Sequence, residues 1–346
     1  MSFADPFPVT VNRSAWPWIG LVLMLIAALL SLTVGRYPVA VIELAHWLLA
    51  TCGIGSMPTE RLQLLHSVIV EARLPRILGA MLVGAGLSVA GGAYQAVFRN
   101  PLVSPGLLGV LSGCAFGAAL GIVLGLHGLW VPVLGGVGGL LAVGLGVAIA
   151  AMFSSGSILM LVLGGIVSNA LFTALLSIVK YMADPLDQLP AIVYWMLGSL
   201  SAVDTAALWW TAPTLAVAII ALCLLGRLID GLSLSDDEAH SLGIPVQLIR
   251  YGVIVLATLI CALTVSIAGM VGWVGLLVPH LARLLVGPGN ARLLPLSACL
   301  GACFLLAADS LARSLTAGEI PLGIITELLG AIAFVLVLNR VRRGWL

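Results

Sequence analysis

The run WPWIGLVLMLIAALLSLTV, residues 16–34, contains no charged side chain, and nine further apolar runs follow it. They cover 77–98, 107–126, 130–152, 157–180, 206–228, 251–269, 271–286, 293–312 and 321–339. A helix needs roughly 20 apolar residues to cross about 30 Å of hydrocarbon. Lipid offers the backbone no hydrogen-bond partner, so each run must satisfy its own peptide groups as a helix. The pattern predicts an all-α, polytopic membrane protein of about ten transmembrane helices, forming one transmembrane domain over residues 1–346.

Composition closes the alternatives. Hydrophobic residues make up 61% of the chain and charged residues 8%, against about 25% charged in soluble domains. The first run is too long for a signal peptide and more spans follow it, so it reads as an uncleaved helix. A net charge of +1 without a basic run gives no footprint for nucleic acid. The six cysteines (52, 114, 223, 261, 299, 303) form no CxxC pair and no His/Cys metal spacing, and read as packing residues, Cys299 and Cys303 on one helix face. No metal site is expected.

Glycine punctuates the runs. Gly113, Gly117, Gly121 and Gly125 recur every four residues, which predicts a bare helix groove for close helix packing; Gly135 and Gly139 repeat the spacing. The eighth run is short and broken by Gly269, Gly272 and Gly275, so it is expected to be irregular. Stretches 39–50 and 189–200 read as short helices between spans, the first within an outer loop of about 35–76.

Arginine placement sets the orientation. With both termini cytoplasmic, Arg13, Arg99, Arg227, Arg250, Arg283, Arg292, Arg340, Arg342 and Arg343 fall inside, and Arg36, Arg61, Arg73, Arg76, Lys180 and Arg313 outside. The longest inner loop, about 229–250, then carries DGLSLSDDEAHSLGIPVQLIR. Ser235 or Asp236 can cap a helix there, with Asp237 and Glu238 at its positive end. Gly243 can end it and Pro245 prevents its continuation.

The power source is the next question. The chain has one lysine, Lys180. A Gly-x4-Gly-Lys-Ser/Thr phosphate loop needs a lysine after its second glycine, and none exists, so ATP is not hydrolysed here by that route. Glu327, in IITELLG, is the clear intramembrane ionisable residue, expected to be buried and hydrogen-bonded to a neighbour. Asp309 and Arg313 read as a surface-level i,i+4 pair. His280 reads as a structural hydrogen-bonding group beside a helix end, and NPL at 100–102 as a sharp turn. A polytopic chain with a polar inner loop and no motor of its own points to a borrowed one.

Several stretches carry a family likeness: DEAHSLGIPV, ARLPRILGAMLVGAGLSVAGGAYQAVFRNPLVSPGLLGVLSG at 72–113, VGWVGLLVPHLARLLVG at 271–287, AADSLAR at 307–313 and EIPLGIITELLGA at 319–331. In this order they resemble the FecCD/BtuC-type permeases of ABC importers, which take up iron-siderophore complexes, haem and vitamin B12. The resemblance implies a BtuC-like permease fold, a second copy of the permease as homodimer partner, and two ABC ATPase subunits that bind ATP and Mg. It also implies a periplasmic substrate-binding protein and a place in the bacterial inner membrane, with no cofactor in this chain.

It places ATPase coupling on Asp236, Asp237, Glu238, Ala239, Leu242, Gly243, Ile244 and Pro245. Binding-protein docking falls on Arg73, Arg76 and Arg313, whose guanidinium groups suit carboxylate partners; the competing readings are phospholipid headgroup pairing or an internal salt bridge with Glu71 or Asp309. Ferric siderophore is the expected cargo, with haem, cobalamin and molybdate as alternatives. An ion-coupled secondary transporter using Glu327 is the rival of another class. A membrane enzyme is disfavoured by the lack of paired carboxylates in the spans. LLGAIAF also departs from the family's LGAP, which implies a straighter last helix.

Overall fold

The computed structural model describes residues 15–343, apart from 36, 154–156, 202, 204 and 317, and the described chain is helical without strands. In order the helices are α1 (Trp16–Thr33), α2 (Val41–Thr51), α3 (Thr59–His66), α4 (Leu74–Val97), α5 (Val110–Val123), α6 (Trp130–Phe153), α7 (Ile158–Met182) and α8 (Gln188–Leu197). Then come α9 (Thr205–Leu224), α10 (Gly226–Asp230), α11 (Asp236–Ser241), α12 (Val246–Ala268), α13 (Val274–Val286), α14 (Asn290–Ser314) and α15 (Leu322–Arg343). A π-helical turn, Ser67–Arg73, joins α3 to α4 in one apolar span.

Among the described residues, six spans are long and apolar enough to cross a membrane, and α9 with the segment after it, a pair bent by 52°, counts as a seventh when taken as one broken span. α5, α13 and α15 are shorter apolar helices in the remaining expected positions. Each predicted run is thus occupied by helix, and α2 and α8 fill the two short stretches between spans. At about 1.5 Å per residue, the 13 residues of α13 fall well short of the bilayer core. The non-helical stretch before it, 269–273, lies inside the protein, the setting in which irregular backbone survives at membrane depth.

α4 is the central element. Its small residues let the backbones of α13 and α14 reach its own, and it is buried along most of its length, whereas α1 lies largely open at the periphery. A Cβ on Gly91 would overlap the Gly275 carbonyl of α13, and one on Gly84 would overlap the Gly301 carbonyl of α14. Such backbone-to-backbone packing is how bilayer helices associate when lipid supplies no hydrophobic drive. Exposed Trp18, Trp130, Trp209, Trp210 and Tyr181 sit near helix ends, as interfacial anchors do.

Arg73 and Arg76, at the start of α4, contact Tyr37, Asp309 and Glu319, whereas Arg99, just past its end, contacts Asp236, so α11 and the Tyr37 and Glu319 segments lie at opposite ends of α4. Arg13, Arg36 and the side chains of Arg340, Arg342 and Arg343, used above for orientation, lie outside the described residues.

Candidate functional site

α11 is short, and its ends are fully specified by local chemistry. Ser235 Oγ accepts from the Glu238 N–H at 3.2 Å, and Glu238 Oε2 accepts from the Ser235 N–H at 3.1 Å. This reciprocal capping box satisfies two end donors and seats three acids at the positive helix end. The bonds from Ser235 hold the Glu238 carboxyl below the usual carboxylate range. At the other end Gly243 takes φ +76°, which a side chain would resist, and Ile244 N–H closes back onto the Ala239 carbonyl at 3.0 Å.

The helix is also tied to the bundle. Asp236 accepts from Arg250 Nη2 at 2.9 and 3.0 Å and from Arg99 Nη2 at 2.6 Å. Arg250 is wholly buried on α12, and Arg99 follows α4 and also donates to the Leu232 carbonyl at 2.6 Å. Burial pushes the Asp236 carboxyl up, but the hydrogen bonds and charge of Arg250 and Arg99 outweigh it and leave it below its ordinary value. Nearby, Asp230 accepts from both the backbone and side-chain nitrogens of Asn290, at 2.7 and 2.8 Å, which fixes the start of α14 to the same loop.

The eight residues assigned to coupling thus divide. Asp236 and Ala239 face inward, Ala239 with no exposed surface, and Ile244 is half-buried beneath Gly231. Asp237, Glu238, Leu242, Gly243 and Pro245 are exposed, and Leu242 is 68% exposed. Arg99 is the residue that the sequence reading missed. It lies 137 positions from Asp236, and only the turn-forming RNP hinted that it would be held in place.

On the opposite face, Arg73, Arg76 and Arg313 are all buried. Arg76 pairs with Asp309 at 2.8 Å and with Glu319 at 2.9 Å, and Arg313 pairs with Asp309 at 3.0 Å. Arg313 also donates to Ser31 Oγ at 3.0 Å, and Arg73 donates to the carbonyls of Leu32 and Tyr37. These side chains bind α1, α4, α14 and the 315–321 connection together. Their placement is that of internal ties, with Asp309 rather than Glu71 as the acid, and not of free surface charges. The Asp309–Arg313 pair expected at the surface is an interior one, because Arg76 and Ser31 close over it.

Comparison with known proteins bears on this architecture. The FecCD transport family model matches residues 23–340. The chain belongs to the FecCD transport family. Among curated relatives of this FecCD chain is the molybdate import system permease protein MolB of Haemophilus influenzae, 41% identical over 93% of the chain and 94% of the relative. The hemin transport system permease protein HmuU of Yersinia pestis is 38% identical over 79% and 83% of the two chains. The vitamin B12 import system permease protein BtuC of Shigella boydii is 34% identical over 93% and 94%. A solved inward-facing conformation of a metal-chelate type ABC transporter superposes with a TM-score of 0.83 at 35% identity, covering 94% of this chain and 98% of that one. The FecCD chain is an ABC importer permease, and its cargo is not distinguished by these likenesses.

Other expected residues of the FecCD chain fall as follows. Gly113 and Gly117 of α5 lie against Gly138 and Leu134 of α6, and Gly121 faces Val131, so three members of the glycine series form the expected groove. Gly125 does not. α5 ends at Val123, and Gly125 turns the chain at φ +70° with open space where a Cβ would stand. His280 lies within α13, not beside a helix end. Both its ring nitrogens are without a hydrogen-bond partner, and the ring packs against Phe334. Glu327 is exposed on α15 rather than buried, and no hydrogen bond joins it to a described neighbour.

Proposed function

We propose that this chain is the membrane conduit of a binding-protein-dependent importer in the bacterial inner membrane. A homodimer of it is driven by two separate ABC ATPases that bind ATP and Mg. The observation that carries the reading is the build of α11: capped at both ends, anchored by Asp236 to the buried Arg250, and left with Leu242 uncovered. A rigid tether passes movement of a bound motor into α12 and, through Arg99, into α4. Rocking of two bundles about their interface then opens the pathway alternately to each side. In this reading α11 and both termini are cytoplasmic.

The cargo we propose is a metal chelate, first an iron-siderophore complex. Probable iron chelatin permeases of Helicobacter pylori strains are 41% and 40% identical to this chain over 82% of its length, and the haem and vitamin B12 permeases also move chelated metals. Molybdate is the second reading, favoured by the 41% identity of MolB over 93% of the chain. For docking of a periplasmic binding protein, the reading keeps the face that carries Arg73, Arg76 and Arg313, whose side chains tie α1, α4 and α14 together. Mass spectrometry of the compound held by the cognate binding protein, followed by its ATP-driven uptake into proteoliposomes, tests both halves. Uptake of a ferric chelate supports the first cargo, and uptake of molybdate alone overturns it.

A further inference from the structure

Glu327 is the one ionisable residue among the described side chains of α15, and it borders a cavity of about 160 Å³. The cavity lies where two helices stop short. α8 ends at Leu197 and α12 at Ala268, and their caps, Gly198 and Gly269, pack against one another. Met196, Met270 and Gly272 complete the wall beside Glu327, and no arginine or lysine lines it.

Three features make this space electronegative. The first is the carboxylate, which has no partner among the described residues. The second and third are the carbonyl ends of α8 and α12, each carrying partial negative charge, with the Ala268 carbonyl of α12 already accepting from the Ser199 N–H at 2.9 Å. The Leu197 and Met270 carbonyl oxygens stand directly over Gly323, where an added Cβ would meet them at 2.5 and 3.0 Å. The start of α15, a partially positive helix end, also reaches the cavity through Gly323 and Ile324; its Leu322 N–H is bonded to the Gly198 carbonyl at 2.9 Å and its Ile324 N–H to the Pro321 carbonyl at 3.2 Å. An intramembrane acid faces protein or water rather than lipid tails. Interrupted helices with free carbonyl ends are where membrane transport proteins hold cations.

We propose that this cavity is a waypoint for a positively charged or N–H-donating group of the cargo, with Glu327 as the residue that sets its charge preference. The inference rests on the importer reading and narrows it. A chelate with ammonium or amide groups meets complementary charge, whereas a free oxyanion meets three negative groups.

The test uses the full-length chain in lipid nanodiscs with methyl-labelled methionine, and methylammonium as the probe. Methylammonium is expected to shift the Met196 and Met270 methyl resonances saturably. Glu327→Gln should reduce those shifts at least fivefold and Glu327→Asp should keep them, with the other methionine signals reporting that each variant is folded. Sodium molybdate at equal ionic strength should leave both methyls unmoved. Wild-type response in Glu327→Gln, or movement of the same two methyls by molybdate, would overturn the proposal. A companion uptake assay separates the two levels. ATP-driven uptake without any methyl response defeats the waypoint alone, and a methyl response without ATP-driven uptake defeats the importer reading alone.

Discussion

Arg250 has no exposed surface, yet it donates to both carboxylate oxygens of Asp236, at 2.9 and 3.0 Å. Removing that acid takes a charge-assisted hydrogen-bond partner away from a buried guanidinium. Asp236→Ala should therefore lower stability by about 1–3 kcal/mol, the low end for a buried charge because Asp236 is itself 40% exposed. It should also cut ATP-driven uptake at least tenfold while ATPase binding persists, because α11 would move without carrying α12. Thermal unfolding in detergent and uptake into proteoliposomes check the two parts.

The same carboxylate sets an acid dependence. Its pKa is depressed in the fold, so its contribution is fully present above the unfolded-state value, about 3.9. That contribution is lost as pH falls through the lower folded-state value. The stability difference between wild type and Asp236→Asn should be constant from pH 7 to 5 and shrink below about pH 4. Paired melting curves of the two proteins cancel the titration of other groups.

Leu242 and Ala239 are three residues apart and should answer oppositely. Leu242→Glu changes an exposed side chain and should leave the melting temperature within experimental error while weakening ATPase association at least tenfold. Ala239→Leu forces volume into a site with no exposed surface and should cost about 1–3 kcal/mol. Pull-down of the ATPase with each variant, beside its melting curve, separates a contact surface from a packing position.

At the other face, Arg76→Ala strands Asp309, which has no exposed surface, and leaves it with Arg313 alone. Removing one partner of a buried pair costs about 3–5 kcal/mol. Arg76→Ala and Asp309→Ala should be strongly non-additive in a double-mutant cycle. Additive losses would show that the two side chains act independently and that the internal tie is not what holds them.

Much of this structure was legible in the sequence. The apolar runs specify helices because lipid leaves the backbone no alternative, and the α11 caps depend on residues within eight positions of each other. The tie between Asp236 and Arg99 was not legible, since no local rule pairs residues 137 positions apart. The arginines of RLPR and SLARS read as outward charges because the sequence does not show that α1 and the 315–321 connection fold over them. Gly125 fitted a four-residue period that the helix does not sustain to its end. Glu327 looked buried because its span is apolar, but it stands on an exposed position of α15.

Accumulation of cargo in proteoliposomes, with and without the ATPase partner and with a protonophore added, tests the central claim most directly. The account predicts ATP-dependent accumulation that vanishes without the ATPase or with Leu242→Glu and is indifferent to the protonophore. Accumulation by this chain alone that collapses with the proton gradient would contradict it and select a secondary transporter.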